Sequence, residues 1–286
     1  MRENRLHHCT KPCGHARRRN SNVRRPVSPY ARPVKRTGLN RRGTDCVAKI
    51  ATPRHNHLLD RLAPDDFVLL RPHLQEVKLG YLDPLADPGR PIEFVFFPLS
   101  GVASLAKSMT NGAAAEVGTT GNEGFVGMPL LLDTEAGATG VHMQVPGHAL
   151  RMPARAFRNS LAQSASLRRL LNRFTYASYN QTCQLVACNR FHDVEQRCAR
   201  WLLMAHDRMP RDDFLLTHEV LSITLGVRRS SVTIAAGRLS EAGLIDYHRG
   251  HITVTDREGL ERRACECYWS IRHEYERLLA SERVPA

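Results

Sequence analysis

The stretch THEVLSITLGVRRSSVTIAAGRLSEAG at 217–243 constrains the fold most strongly, because two short helical patterns lie on either side of one glycine. Thr217 suits the N-cap of the first helix, and Gly226 suits the left-handed turn that ends it. The second helix is predicted to run from about Arg229 to Ala242. The residues predicted to face inward are Val220, Leu221, Thr224 and Leu225 on the first helix and Val232, Ala235, Ala236 and Leu239 on the second.

A β-hairpin is predicted directly after these helices. GLIDYHRGHITVTD at 243–256 contains two short apolar alternations on either side of Arg249-Gly250, a dipeptide suited to a tight turn. Two helices followed by such a hairpin form a winged helix-turn-helix, in which the first turn of the second helix enters a DNA major groove.

Two arginines and two serines open the second predicted helix. A helix start already carries partial positive charge, so neighbouring arginines are unfavourable there unless an external anion faces them. Duplex DNA offers phosphates and the guanine O6 and N7 atoms, whereas the alternative is a solvated surface pair. For Ile234, contact with a thymine methyl group and simple burial both remain open. The predicted DNA contacts are Arg228, Arg229, Ser230, Ser231, Thr233 and Arg249.

The net charge of +13 is concentrated at the N-terminus. Residues 1–50 hold 14 of the 41 Lys and Arg residues but two of the 28 acidic residues, so the rest of the chain is nearly neutral. The segment lacks apolar periodicity and is predicted to be a disordered basic leader, which an overlong start assignment with the true start near Val47 would explain. A transit peptide and a DNA-contacting arm are the alternatives. No signal peptide or membrane span is predicted, which favours a cytoplasmic protein.

None of the eight cysteines forms a C-x2-C pair. The segment HHCTKPCGH at 7–15 sets Cys9 and Cys13 among three histidines, which leaves open a zinc site, an iron–sulfur site or chance clustering. Cys183, Cys188 and Cys198 lie within helical patterns. They are predicted to be reduced cysteines that pack as small buried apolar residues. No metal site is therefore predicted, and no cofactor can be named.

Residues 74–150 read as an antiparallel sandwich or barrel. Eleven of the 19 glycines lie between Gly80 and Gly147, and they separate short alternating segments such as PIEFVFFP and GVASLAKS. An enzyme is not predicted, because this region holds only two histidines, His142 and His148, and the chain lacks G-x-S-x-G and P-loop motifs.

A long helix is predicted over 166–191, which contains neither Gly nor Pro. Two stripes predict two packing partners: the β domain and an identical helix of a second chain. Burial within its own chain is the alternative. A further helix at 193–209 is predicted to end at Pro210. The first stripe comprises Leu167, Leu170, Phe174, Ala177, Gln181 and Cys188, and the second comprises Leu171, Ser178 and Leu185.

From about residue 57 to 280, the order of short helix, glycine-punctuated barrel, long helix and winged helix-turn-helix resembles the CRP/FNR family of bacterial transcription regulators. The most specific segment is LTHEVLSITLGVRRSSVTIAAGRLSEAGLIDYHRGHITV, supported by FVFFPLSGVASL and GNEGFVGMPLLL. The resemblance implies a homodimer that binds a near-palindromic DNA site, senses a signal in its N-terminal domain, and recruits or blocks RNA polymerase.

The sequence departs from the cyclic-AMP-binding members of that family at the ligand site. Those members carry a Gly-Glu pair that holds the ribose and a later Arg-Ser pair that holds the cyclic phosphate. Here Gly127 is followed by Met128, and Ala138-Thr139 stands where Arg-Ser is expected. These four positions are the candidate ligand-binding residues, and the effector is expected to be something other than cyclic AMP.

The sequence thus predicts an α+β protein in which a jelly-roll, cyclic-nucleotide-binding-like barrel is joined by a long dimerisation helix to a winged helix-turn-helix domain. The expected function is sequence-specific transcription regulation, with duplex DNA and a second copy of the chain as partners. The alternative is a ligand-binding signalling module whose winged helix contacts protein. The expected segments are the leader at 1–50, the barrel at 56–160, the central helix at 161–191, the winged helix at 192–270 and a C-terminal helix or tail at 271–286.

Overall fold

The computed structural model describes residues 56–280. The predictions for the leader at 1–50, including Cys9 and Cys13, lie outside these residues. Asn56 opens the described chain by accepting a hydrogen bond from the Leu59 amide while donating to the carbonyls of Pro98 and Gly124. The first elements are α1 (His57–Asp60), α2 (Pro64–Leu70) and a 3-10 turn (Arg71–His73).

The leucines of HNHLLDRLAPDDFVLLRPHL at 55–74 recur at helical spacing and predict a helix that ends at Pro72, but the structure breaks this region earlier. Pro64 begins α2, and the ring of a proline forces the preceding residue out of the helical conformation. Ala63 accordingly has an extended backbone, which separates α1 from α2. Pro72 itself lies within the 3-10 turn.

Two antiparallel sheets form the N-terminal domain, as the glycine-punctuated alternation predicted, and we call it the sensor domain after the role that the family resemblance implies. One sheet has the strand order β1-β7-β3 and the other β2-β6-β4-β5. A short helix, α3 (Met128–Leu131), lies between β5 and β6 in the chain. The strands are β1 (Gln75–Leu79), β2 (Pro84–Ala86), β3 (Phe94–Pro98), β4 (Val102–Ser108), β5 (Ala114–Thr120), β6 (Gly140–Val145) and β7 (Gly147–Pro153).

Successive side chains of β3 point alternately into two different hydrophobic cores. Phe96 joins a cluster with Leu79, Ala103 and Met143, which come from both sheets and fill the space between them. Its neighbours on β3 point the other way, and Phe97 packs in the larger core that includes the helices. Because successive side chains of a strand alternate between faces, one strand serves both cores.

The central helix is longer than its neighbours and begins at a cap. After α4 (Ala154–Gln163), Ser164 accepts a hydrogen bond from the Leu167 amide and starts α5 (Ala165–Phe191). The central helix therefore begins four residues after position 161, because Ser164 adopts an extended backbone that ends α4.

Both predicted stripes of α5 are covered by the same chain. On the first stripe, Gln181 donates to the Thr119 carbonyl on β5 at 3.1 Å. On the second stripe, Ser178 lies 3.2 Å from the hydroxyl of Tyr275 on the C-terminal helix α10 (Cys267–Leu279). The second partner predicted from sequence is thus α10 rather than a helix of another chain, since α10 folds back along α5 from far downstream.

The remaining elements form the C-terminal domain, whose three-stranded sheet has the order β8-β10-β9. Helix α6 ends at His206 rather than at Pro210, because the following Arg208 turns to the sensor domain. No helix among residues 56–280 is long and apolar enough to cross a membrane. The elements are α6 (Val194–His206), β8 (Asp213–Leu215), α7 (His218–Leu225), α8 (Arg229–Glu241), β9 (Ile245–His248), β10 (His251–Val254), α9 (Arg257–Arg263) and α10.

Candidate nucleic-acid interface

The turn between α7 and α8 has the geometry that the sequence predicted. The Thr217 side chain accepts a hydrogen bond from the Val220 amide and caps α7. Gly226 ends α7 with φ 62° and ψ 37°, a left-handed conformation that a residue with a side chain seldom adopts. The Val227 amide then bonds to the Ser222 carbonyl, which closes the turn.

Helix α8 is held by the face that was expected to be inward. Its alanines let the helix approach α6 and α7 closely, since each contributes only one methyl group to the contact. The buried residues of α8 are Val232, Ala235, Ala236 and Leu239.

The first turn of α8 faces solvent. Arg228 is the N-cap, and its side chain makes no capping hydrogen bond. Arg228, Arg229 and Ser230 are exposed, and Ser231 is partly exposed. Within the described chain, no acidic side chain forms an ion pair with either arginine. The first backbone amides of a helix also lack partners within the helix. The charges of the two arginines and these amide donors therefore lie together at one exposed end of α8.

The hairpin wing is positioned beside α8 by His218, a residue that sequence analysis did not select. The His218 ring stacks on Tyr247 of β9 with centroids 4.3 Å apart, and its Nδ1 atom lies 3.1 Å from the Thr233 hydroxyl. Burial and the charge of Arg229 lower the pKa of His218, which favours its neutral ring. One side chain therefore joins the start of α7, the wing and the middle of α8.

The predicted contact residues outside the first turn have distinct surroundings. Arg249 is exposed at the tip of the wing, where φ is 50° and the following Gly250 has φ 84°. The Thr233 hydroxyl donates to the Arg229 carbonyl at 3.1 Å and also meets His218, so it helps to hold the surface. Ile234 is 58% exposed, which excludes the burial that the sequence left open.

The four candidate ligand-binding positions come together in the sensor domain. Gly127, Met128, Ala138 and Thr139 all line one cavity of about 180 Å³. Its walls carry no charged side chain, and they include Leu105 and Phe125 among other apolar groups. A cyclic phosphate would find no guanidinium among these lining residues.

Two comparisons with known proteins gave matches, one for the helix-turn-helix region and one for the fold of most of the chain. Residues 196–263 match the profile of the Crp-like helix-turn-helix domain. A search of curated proteins found no match to the chain.

Similar solved structures include FixK2 from Bradyrhizobium japonicum, which is 13% identical with a TM-score of 0.57 over 67% of this chain and 98% of that one. A protein of Eubacterium rectale assigned to the crp/fnr family is 16% identical, with a TM-score of 0.55 over 72% of this chain and 96% of that one. TTHB099, a CRP-family transcriptional regulator from Thermus thermophilus, is 17% identical, with a TM-score of 0.54 over 66% of this chain and 96% of that one. At such identities the likeness shows the fold, which is that of the CRP/FNR proteins. Residues 196–263 therefore form a Crp-like helix-turn-helix domain within a chain that has the fold of the CRP/FNR proteins.

Proposed function

We propose that this protein regulates transcription as a homodimer that reads a near-palindromic duplex through the first turn of α8 and the wing. The observation that carries this proposal is the exposed start of α8, where Arg228 and Arg229 stand beside Ser230 without an acidic partner in the described chain. Arginine forms two parallel hydrogen bonds with guanine, and serine hydroxyls bond to phosphates or bases. The wing tip at Arg249 adds a cation suited to the phosphate backbone.

The dimer seam that we propose lies on the exposed face of α5. Tyr176, Tyr179, Cys183 and Val186 are exposed and follow one another at alternating steps of three and four residues. This spacing is that of a coiled-coil seam, in which an identical helix covers the apolar side chains. A two-fold dimer presents two α8 helices to half-sites about one helical turn of DNA apart.

For the sensor domain, we propose an effector that is small and largely apolar. Support comes from the cavity at Gly127 and Met128, whose volume of about 180 Å³ lies below that of usual drug-sized ligand sites.

RNA polymerase is the further partner proposed, on the resemblance to CRP/FNR regulators alone. Residues 1–50 add nonspecific phosphate attraction in this proposal, which predicts that their deletion weakens the salt dependence of binding.

Selection from random duplex DNA with the purified chain tests the proposal. We expect enrichment of a two-fold symmetric site with half-sites about 10 base pairs apart. Arg229→Ala is expected to weaken binding to that site by about 10- to 100-fold, which corresponds to the roughly 1–3 kcal/mol of one bidentate base contact. Arg155→Ala is the matched control, because it removes the same charge from an exposed position on α4, away from the proposed seam. Failure to enrich any site, with and without cell extract as a source of effector, would contradict the proposal.

A further inference from the structure

Four side chains with metal-binding atoms meet where the end of α5 contacts the start of α10. Cys188 and His192 come from α5 and its C-cap, Cys265 precedes the N-cap of α10, and Cys267 is the first residue of α10. The donor atoms of all four residues lie within 4.8 Å of one another. The three cysteines are fully buried and form a cluster of their own, separate from the apolar cores of the described chain.

The spacing of these atoms fits a single ion. The Sγ atoms of Cys188 and Cys265 are 3.5 Å apart, and Cys267 Sγ is 3.5 Å from His192 Nδ1. A tetrahedral ion with Zn–S bonds of about 2.3 Å and a Zn–N bond of about 2.0 Å places its donors roughly 3.5–3.8 Å apart. An iron–sulfur cluster distributes its ligands over several irons and would need them farther apart. The geometry therefore favours one tetrahedral ion.

A second layer of contacts orients the donors. His192 Nε2 lies 3.0 Å from a carboxylate oxygen of Glu266, which leaves Nδ1 directed at the sulfurs. Gln184 Nε2 donates to Cys267 Sγ at 3.0 Å. A carboxylate on the far nitrogen of a ligating histidine is a common feature of zinc sites, because it fixes the tautomer and raises the basicity of the ligand.

A buried positive charge beside the cluster forms no ion pair within the described chain. Arg200 on α6 is buried, and its Nε atom has no hydrogen-bond partner. Its charge acts on Cys188 and Cys265 and, from beyond ion-pair distance, on Glu116. Burying an uncompensated guanidinium is costly. Three thiolates and one imidazole around a divalent cation carry a net charge of −1, which compensates the charge of Arg200.

We propose that Cys188, His192, Cys265 and Cys267 bind one Zn²⁺ ion in a closed tetrahedral site of three thiolates and one imidazole. Four protein ligands leave no open position, so the site is structural rather than catalytic. It ties the end of the central helix to the turn between α9 and α10. The ion thereby fixes the DNA-binding domain and its C-terminal helix against α5. This site is independent of the function proposed above and of the HHCTKPCGH segment at 7–15.

Metal content of the full-length chain, expressed without a histidine tag and kept reduced, tests the site directly. We expect one zinc per chain by mass spectrometry of the metal, with three sulfurs and one nitrogen around it by X-ray absorption. The Cys265→Ser/Cys267→Ser variant should contain none. Cys183→Ser, which alters an exposed thiol of α5, and Cys9→Ser/Cys13→Ser should each retain one. Three outcomes would overturn the proposal. They are absence of zinc from the unmodified chain supplied with Zn²⁺, persistence of zinc in the Cys265→Ser/Cys267→Ser variant, and a Cys188–Cys265 disulfide that survives under reducing conditions.

A milder variant separates loss of the ion from loss of the fold. The Glu266 side chain is 73% exposed, so Glu266→Gln leaves the packing intact while it weakens the contact to His192. We expect the dissociation constant for Zn²⁺, measured in competition with a chromophoric chelator, to rise about 10- to 100-fold. The circular dichroism spectrum should not change. Equal affinities of the variant and the unmodified chain would overturn the assignment of His192 as a ligand.

Discussion

The contact between Arg208 and Glu123 allows the most direct test of how the two domains are joined. Arg208, just after α6, donates from Nε and from a terminal nitrogen to the two carboxylate oxygens of Glu123 at 3.0 and 2.7 Å. Its other terminal nitrogen donates to the Thr119 hydroxyl at 2.7 Å. Both partners are largely withdrawn from solvent. The guanidinium therefore holds the DNA-binding domain to the loop that follows β5.

Arg208→Met removes the charge and keeps most of the aliphatic length. Removing one partner of a buried ion pair costs about 3–5 kcal/mol, because the remaining charge is left uncompensated. Glu123 keeps one hydrogen bond from the Gly121 amide, so we expect the lower end of that range, about 3 kcal/mol. For a protein of this size the melting temperature then falls by about 6–12 °C.

Urea unfolding followed by tryptophan fluorescence measures this loss, since Trp201 lies at the same junction. Arg208→Met combined with Glu123→Gln should recover part of the stability, because no charge is then left unpaired. Arg158→Met is the matched control: its pair with Glu135 is exposed and spans 3.4 Å, so its loss should cost less than about 1 kcal/mol. A loss below about 1 kcal/mol for Arg208→Met, or a double variant less stable than the single one, would refute the reasoning.

Two further predictions concern the seam and the buried carboxyl of the junction. Tyr179→Glu places a charge on the exposed face of α5 and should convert the proposed dimer to monomers in sedimentation experiments; a dimer that persists would exclude this seam. Glu116 accepts hydrogen bonds from Ser104 and Trp201, and burial raises its pKa to about 7. Because the folded state then binds the proton more tightly, this carboxyl costs stability as pH rises from about 4.5 to 7, by at most about 3 kcal/mol. Stability curves of the unmodified chain and Glu116→Gln should diverge over that range, and parallel curves would contradict the assignment.

The helix-turn-helix could be predicted from sequence because its signals are local. Thr217 and Gly226 mark the ends of α7 through capping, which depends on a few neighbouring residues. The buried face of α8 follows from the helical repeat within 13 residues. Alternation and glycine turns likewise indicated the antiparallel sheets, although strand order and register depend on contacts between distant segments.

Features built from distant segments were not predictable in the same way. The second stripe of α5 looked available to another chain, because nothing near residue 178 shows that α10 returns to cover it. His218 escaped notice because its partners, Tyr247 and Thr233, lie in other elements. The cysteine cluster joins position 188 to positions 265–267. The signals present in the sequence were Cys188 and His192, which are four residues apart, and the C-x-C pair of Cys265 and Cys267.

The junction between the domains combines apolar packing with polar contacts. The main apolar cluster runs through both domains, and Gln144 on β6 also contacts Thr224 on α7. Buried atoms of Gln144 and Arg200 lack hydrogen-bond partners. Opening such a junction returns these groups to water, so it costs less than separating an equal area of apolar surface. In the function proposed above, an effector bound in the sensor domain would therefore reach α8 by changing these polar contacts, while the Arg208–Glu123 pair would limit how far the domains separate.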